Sequence, residues 1–145
     1  MLAITLHIHL LTSLKFPKLH VLLPSLKLQL MALILGLETA TTNCSVAIAK
    51  NGHIIALRED ATAGYSHAEK LHVYIEEVLE EAGVVKESLD AIAVSKGPGS
   101  YTGLRIGVSA AKGLCFALDK KLIAIPTLDV LAQQVSEEGI IIPML

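Results

Sequence analysis

Residues 97–107 of the chain read GPGSYTGLRIG and lie between a short apolar run, 91–94, and a small-residue segment that ends near Ala117. This order predicts a glycine-rich turn between a buried strand and the first turn of a helix. Such a turn points backbone N–H groups and the positive end of the helix dipole outward. The residues alone leave two interpretations open. The turn is either a cradle for an anion such as phosphate, or a tight turn that lets the helix pack very closely on another element.

The glycine spacing does not fit two common phosphate motifs. A Walker loop requires Gly, four residues and then Gly-Lys-Ser/Thr, and the chain has no such arrangement. A dinucleotide fingerprint requires Gly-x-Gly-x-x-Gly, but Thr102 stands where the third glycine should be and Gly103 comes one place too late. The spacing therefore leaves a nucleotide or anion contact as a weakly specified prediction, with the candidate residues Gly97, Gly99, Ser100, Thr102 and Arg105.

Two of these residues have specific expectations. Ser100 stands at the predicted helix start, where N-capping accounts for it. Arg105 lies one turn into the helix, where a cation is unfavourably placed in the helix dipole. We therefore expect Arg105 to have a carboxylate or phosphate partner, the alternative being a surface pair with a nearby Glu.

The composition predicts one domain with an aliphatic core. The chain has 145 residues, of which 52% are hydrophobic and only 3% aromatic. Its net charge of −2 gives no electrostatic case for binding nucleic acid alone. Cys44 and Cys115 have no CxxC spacing, and we interpret them as packing thiols in a reducing, cytoplasmic setting.

Residues 1–30 differ from the rest of the chain. They contain three lysines and no acid, and their apolar runs are too short and too interrupted to span a membrane. They do not have the pattern of a signal or transit peptide. A strand pattern begins after Met31. We therefore expect 1–30 to be an extension outside the fold, upstream of a true start at Met31. We expect 31–145 to form the N-terminal lobe, with the second lobe truncated.

The hydrophobic pattern of 31–145 predicts an α/β lobe. It indicates strands at 33–37, 45–49, 53–57, 91–94, 122–125 and 139–142, with an Asn51-Gly52 hairpin between the second and third. A helix capped by Ser66 ends at Gly83, another begins near Tyr101, and a third, capped by Thr127, runs to about Val135. Three antiparallel strands followed by helix-strand alternation favour a ribonuclease-H-like lobe with a mixed sheet and helices on both faces.

Three segments together resemble the TsaB (YeaZ) family. They are 33–41 (LILGLETAT), the Asn51-Gly52 hairpin and the glycine stretch 97–107, and the resemblance extends from about Met31 to Val135. The family consists of bacterial proteins of the actin, sugar-kinase and Hsp70 superfamily. The resemblance implies a dimerisation subunit of the complex that makes threonylcarbamoyladenosine in the anticodon loop of tRNA. Family members continue into a second, smaller lobe.

The resemblance also implies partners and a location. The partners would be a TsaD-type catalytic subunit, a TsaE-type ATPase subunit and a second copy of the chain, with tRNA reached only through the complex and no membrane involved. The chain would be cytoplasmic and would have no cofactor of its own, with ATP or ADP at a subunit interface. The alternatives are a sugar-kinase-like phosphotransferase and a metallopeptidase-like protein of the same superfamily.

Residue chemistry argues against catalysis by the chain itself. Active phosphotransferases of the superfamily have Asp-x-Gly at the first hairpin, where this chain has Glu38-Thr39-Ala40, and the methyl group of Ala40 should crowd a phosphate. We expect Glu38 to cap a strand end rather than act as a metal ligand or catalytic acid. The catalytic relative has a His-x-x-x-His pair, whereas His67 and His72 are five residues apart, about 140° around a helix. We therefore predict no catalytic residue and no metal site.

The first two helices are the predicted interface. The resemblance implies this role for 67–82 and 101–116. A stripe of Gly103, Gly107 and Ala111 supports it, because helical glycine lowers stability unless another backbone approaches closely. That backbone would belong to the first helix or to a partner. The predicted interface residues are His67, Lys70, Leu71, Tyr74, Tyr101, Gly103, Leu104, Gly107 and Ala111.

Overall fold

The computed structural model describes residues 32–60, 67–133 and 140–145. Its centre is a five-stranded sheet in the order β3-β2-β1-β4-β5. The strands are β1 Leu33–Glu38, β2 Cys44–Lys50, β3 His53–Asp60, β4 Ala91–Ser95 and β5 Lys121–Ile125. The helices are α1 His67–Ala82, α2 Tyr101–Leu118 and α3 Thr127–Ala132, with a short 3₁₀ turn at Lys86–Ser88.

Strand directions follow from the connections. β1, β2 and β3 are joined by short turns and pair antiparallel. β4 pairs parallel to β1, and β5 parallel to β4, so both need helical crossovers, which α1 and α2 supply. The β2–β3 turn confirms the predicted hairpin, because Asn51 and Gly52 both have positive φ, 55° and 83°.

Helices cover both faces of the sheet, which confirms the predicted fold class. On one face, β-strand side chains such as Leu35 and Ile48 pack against a stripe of α1 that includes Leu71 and Val78, and α2 adds Ala111. On the other face, β-strand residues Ile34, Ala93 and Ile125 pack with Val130 of α3. Each fully buried Leu, Ile or Val contributes roughly 1.5–3 kcal/mol relative to an exposed position. The continuous apolar run of β1 is explained because both of its faces are covered.

Some predicted ends of elements are wrong. Thr127 is the first residue of α3 rather than its cap, since Pro126 occupies the cap position. The Thr127 backbone N–H donates to the Gly97 carbonyl at 2.9 Å, which ties the helix start to the glycine turn. The Thr127 hydroxyl is buried and has no partner among the described residues.

The last predicted strand is also not found. Residues 140–142 are not in a strand, and Ile140 is 95% exposed. A strand requires a neighbour to hydrogen-bond with, and the described sheet has β5 at its edge. Ser66, the extension 1–30 and positions 134–139 lie outside the described residues. Gly83, with φ of 62°, follows α1 as predicted. None of the helices in the described segments has the length and apolarity needed to cross a membrane.

Candidate functional site

The glycine turn joins β4 to α2 at the carboxyl end of the parallel strands. Gly97 has φ of +105°, a conformation that favours glycine. Lys96 N–H donates to the Ile125 carbonyl at 2.9 Å, and Gly97 accepts the bond from Thr127. The turn is therefore fastened to the β5–α3 connection beside it.

The chain's own groups contact the start of α2. Ser100 Oγ accepts a hydrogen bond from Gly103 N–H at 3.2 Å, which confirms its N-cap role. Ser100 N–H donates to the Ala40 carbonyl at 2.7 Å. Two donors that an anion would use are thus already paired within the chain.

The glycines of the turn and of α2 are explained by packing against the segment that follows β1. A Cβ on Gly99 would overlap Ala40, and a Cβ on Gly103 or Gly107 would overlap the Thr39 carbonyl or hydroxyl oxygen. Thr39 Oγ1 in turn donates to the Gly103 carbonyl at 2.8 Å. Of the two interpretations left open by the residues, the structure favours the tight packing turn.

This packing corrects part of the predicted interface. Gly103, Gly107 and Ala111 are buried within the chain, and the backbone that approaches Gly103 belongs to Thr39, neither to α1 nor to a partner. Leu71 is fully buried in the core. These four residues are therefore buried within the chain and are not accessible to another molecule, and the remaining interface residues stay a prediction.

Sequence reasoning missed Thr39. The residue is 1% exposed and makes its hydrogen bond across 64 positions of sequence. No local pattern pairs it with a helix so far along the chain. The only signal in the sequence was the stripe of small residues on α2, which indicated that another segment packs closely there without identifying it.

Glu38 has the predicted strand-end role. Its side chain is buried, and one carboxylate oxygen accepts from Ala40 N–H at 2.7 Å. The other oxygen accepts from the Ser95 hydroxyl of β4. The carboxylate therefore holds the turn after β1 to the neighbouring strand.

The predicted anion contacts do not converge. Gly99 and Ser100 line a surface depression of about 430 Å³ together with residues 40–42 and Leu145. Thr102 and Arg105 line a different one of about 310 Å³ with Ile106 and Ser109. Both depressions are open, and the first has no charged side chain in its lining.

Arg105 has an aromatic neighbour instead of a carboxylate among the described residues, and its expected phosphate partner stays a prediction. Its guanidinium lies 5.6 Å from the centre of the Tyr101 ring, within cation–π range. Across the described residues it makes no ion pair, and both side chains are exposed. Tyr101 precedes Arg105 by four residues, so the two side chains are neighbours on the same side of the helix.

The described residues contain no group of three His, Cys, Asp or Glu side chains that could hold a metal ion. His72 is exposed on α1, and the side chain of His67 lies outside the described residues. Burial raises the pKa of the Cys44 thiol to about 11, so it is protonated at neutral pH and a poor nucleophile. Burial also raises the pKa of Cys115.

The outer faces of α1 and α2 form a groove of about 470 Å³. Four of its seven lining residues are small, namely Ala68, Ser109, Ala110 and Gly113, and the others are His72, Ile106 and Leu114. We call these residues the α1–α2 groove. Sequence reasoning named the two helices, and the structure brings these seven positions together.

The groove lining does not include the other predicted interface residues Tyr101, Leu104, Tyr74 and Lys70. Tyr101 is 75% exposed, and Leu104 is half-buried. Tyr74 is half-buried against the core cluster. Lys70 forms an ion pair with Asp60 of β3, so it lies on the side of α1 away from α2.

The strand order, the parallel β4 and β5 and the glycine turn define a ribonuclease-H-like lobe of the actin, Hsp70 and sugar-kinase superfamily. Residues 60–145 match the family model described as TsaD, tRNA N6-adenosine threonylcarbamoyltransferase. Within this group of related lobes, the chain belongs to the TsaB (YeaZ) family.

Two relatives support this assignment, and a third is one of the related transferases. The tRNA threonylcarbamoyladenosine biosynthesis protein TsaB of Haemophilus influenzae is 36% identical, over 72% of this chain and 43% of the relative. The structure of YeaZ from Pseudomonas aeruginosa is 38% identical, with a TM-score of 0.66, over 72% of this chain and 47% of that one. A tRNA N6-adenosine threonylcarbamoyltransferase of Pediococcus pentosaceus is 39% identical over 65% of this chain and 32% of the relative. The chain thus spans less than half the length of each of these proteins.

Proposed function

We propose that the chain is a non-catalytic subunit of the complex that forms threonylcarbamoyladenosine in tRNA. In this role it binds the TsaD-type catalytic subunit through the outer faces of α1 and α2 and increases that subunit's activity. The observation that carries the proposal is the contrast between the N-terminal end of α2 and its outer face. The N-terminal end is occupied by the chain's own turn, whereas the outer face is open.

The occupied end supports the absence of catalysis. A phosphate at the start of α2 would need the N–H group that Ser100 donates to Ala40. Glu38 is buried, with both carboxylate oxygens hydrogen-bonded to the chain. A sugar-kinase-like phosphotransferase would require these groups to be released.

The relatives support the choice of partner. The Haemophilus influenzae relative is described as a threonylcarbamoyladenosine biosynthesis protein. Threonylcarbamoyltransferases such as that of Bacillus thuringiensis are 36% identical to this chain over 108 residues. The catalytic subunit therefore carries a similar segment, which could present equivalent helices to α1 and α2.

The finer features of the proposal come from the family. A TsaE-type ATPase subunit and tRNA join through the assembled complex, and two copies of the chain pair when the catalytic subunit is absent. ATP or ADP binds at a subunit interface that includes the turn 97–103. The complex works in the cytoplasm.

Reconstitution tests the proposal. The full chain, a TsaD-type subunit and their mixture are each assayed for modification of unmodified tRNA, with the remaining components of the reaction supplied. The mixture should be more active than the TsaD-type subunit alone, and the chain alone should be inactive. Calorimetry with ATP and Mg²⁺ should detect no tight binding to the isolated chain. Turnover by the isolated chain, or a TsaD-type subunit that neither binds the chain nor responds to it, would overturn the proposal.

A further inference from the structure

A second groove, of about 460 Å³, lies at the C-terminal end of α1 beside the 3₁₀ turn that precedes β4. Its floor is apolar and consists of buried Leu79, half-buried Val84 and Val85, which is 64% exposed. Its rim is charged and consists of Glu76, Glu80, Lys86 and Glu87. We call these seven residues the α1 C-terminal groove. It shares no lining residue with the α1–α2 groove.

The rim of the α1 C-terminal groove has an excess of acid. Lys86 forms an ion pair with Glu76, so the lysine of the described rim is already neutralised. The side chains of Glu80 and Glu87 are exposed and form no ion pair among the described residues. An apolar floor with unneutralised acids on its rim is complementary to an apolar segment that carries positive charge.

The chain has such a segment directly before β1. Residues 25–30 read SLKLQL, in which leucine alternates with serine, lysine and glutamine. An extended segment with this alternation places Leu26, Leu28 and Leu30 on one side of the backbone. Lys27 projects from the other side, and its flexible stem can extend along an apolar surface to a charged partner. The segment therefore has both an apolar side and a cation.

The position of β1 brings this segment to the groove. Leu33 N–H donates to the Asp90 carboxylate at 2.7 Å, and Asp90 N–H donates to the Leu33 carbonyl at 2.8 Å. Asp90 follows Glu87 by three residues, so the chain enters the sheet beside the rim of the groove. Lys27 precedes Leu33 by six residues, and an extended chain of that length spans about 20 Å. Residues 25–30 can therefore reach the groove while β1 stays in place.

We propose that residues 25–30 dock in an extended conformation on the α1 C-terminal groove, with the three leucines over its apolar floor and Lys27 facing Glu80 and Glu87. The sequence pattern alone predicts that 1–30 lies outside the fold and upstream of the true start. The groove instead gives the last part of this segment a binding surface, at the end of β4 opposite the glycine turn. The proposal does not depend on the assembly role of the α1–α2 surface, because the two grooves are separate.

Amide hydrogen exchange on the full chain tests the docking. The amides of 26–30 should exchange about tenfold or more slowly than those of an unstructured peptide of the same sequence, and this protection should fall as salt screens the ion pairs. The double variant Glu80→Lys/Glu87→Lys should lose most of the protection, because lysine then faces lysine. Adding Lys27→Glu to the double variant should restore it. Protection of the β1 amides reports whether each variant is folded.

Glu69→Lys is the matched control, because Glu69 is an exposed acid of α1 outside this groove. It should leave the protection of 26–30 unchanged. Free exchange of 26–30 in the wild-type chain would overturn the proposal and would leave the groove to a basic segment of another protein. Failure of Lys27→Glu to restore protection in a folded double variant would overturn the pairing with Glu80 and Glu87. A native protein whose mass shows that it begins at Met31 would overturn the proposal as well.

Discussion

Thr39 shows how a single residue can account for several glycines. Its carbonyl oxygen lies where a Cβ of Gly103 would be, its hydroxyl oxygen lies where a Cβ of Gly107 would be, and its hydroxyl donates to the Gly103 carbonyl. A side chain at either position would have to push β1 away from α2. The glycines of this stretch therefore allow the segment after β1 to pack directly against the backbone of α2.

The Gly103→Ala substitution should therefore destabilise the chain. The added methyl overlaps backbone that cannot move without disturbing β1, and overpacking of this kind costs typically about 1–3 kcal/mol. Urea unfolding measures the change. Gly113→Ala is the matched control, and in its open position it should stabilise by about 0.5–1 kcal/mol. Equal effects of the two substitutions would contradict the assignment of Gly103 to close packing.

Cys44 should make stability depend on alkaline pH. Burial raises its pKa from 9.0 to about 11, so the folded chain keeps the thiol proton at pH values where the unfolded chain has lost it. The resulting stabilisation is complete below pH 9 and is lost as pH rises through 11, by on the order of 2 kcal/mol. Unfolding free energies of wild type and Cys44→Ala, compared between pH 8 and pH 11, isolate this contribution. Parallel pH profiles for the two proteins would show that the thiol does not supply it.

At the scale of the element, α1 has two faces with different roles. Leu71 is fully buried against the sheet, whereas Val73, two residues further on, is half-exposed on the outer side of the helix. The buried stripe at helical spacing holds the helix to β2 and β3. The exposed side carries acids and is free to meet another molecule.

Alanine substitution should separate these two faces. Leu71→Ala removes a buried side chain and leaves a cavity, which should cost about 2–5 kcal/mol of unfolding free energy. Val73→Ala should change the unfolding free energy little but should weaken association through the α1–α2 surface. Chemical denaturation and sedimentation velocity measure the two effects. A large loss of stability in Val73→Ala would place that side chain in the core instead.

For α2, the sequence predicts the features within the helix but not the segment that packs against it. The helix, its N-cap and its small-residue stripe could all be predicted, because each is encoded in adjacent residues or in helical spacing. The neighbour of the stripe could not, since Thr39 and Gly103 are 64 residues apart. The aromatic neighbour of Arg105 was also not predicted. The dipole argument predicts a preferred charge, but the ring of Tyr101 lies one turn away and meets the guanidinium.

The whole molecule has a small net charge that is unevenly distributed. The total is −2, but the acids of α1 and the cations of α2 lie on different helices. A long nucleic acid would meet repulsion along α1, and only a limited number of cations on α2 could contact its phosphates.

The isolated chain should therefore bind tRNA negligibly at physiological salt. Filter binding or fluorescence anisotropy with unmodified tRNA measures this, and the same assay on the mixture with a TsaD-type subunit is the comparison. Binding by the isolated chain in the micromolar range, weakening steeply with salt, would show that the chain has a nucleic-acid surface of its own.

By itself the sequence determined five of the six predicted strands, the helices, the hairpin at Asn51-Gly52, the burial of β1 on both faces and the sheet class. These features follow from backbone conformation and from the periods of 2 and 3.6 residues, which nearby side chains encode. The TsaB (YeaZ) family was identified from the resemblance of residues 33–41, the hairpin and residues 97–107 to that family. The tertiary structure decided that Thr39 packs against Gly103 and Gly107, that Leu71 lies in the core and that Gly113 has open space beside it. Such contacts depend on how distant segments are aligned by the sheet and its crossovers, and no local pattern of residues contains that alignment.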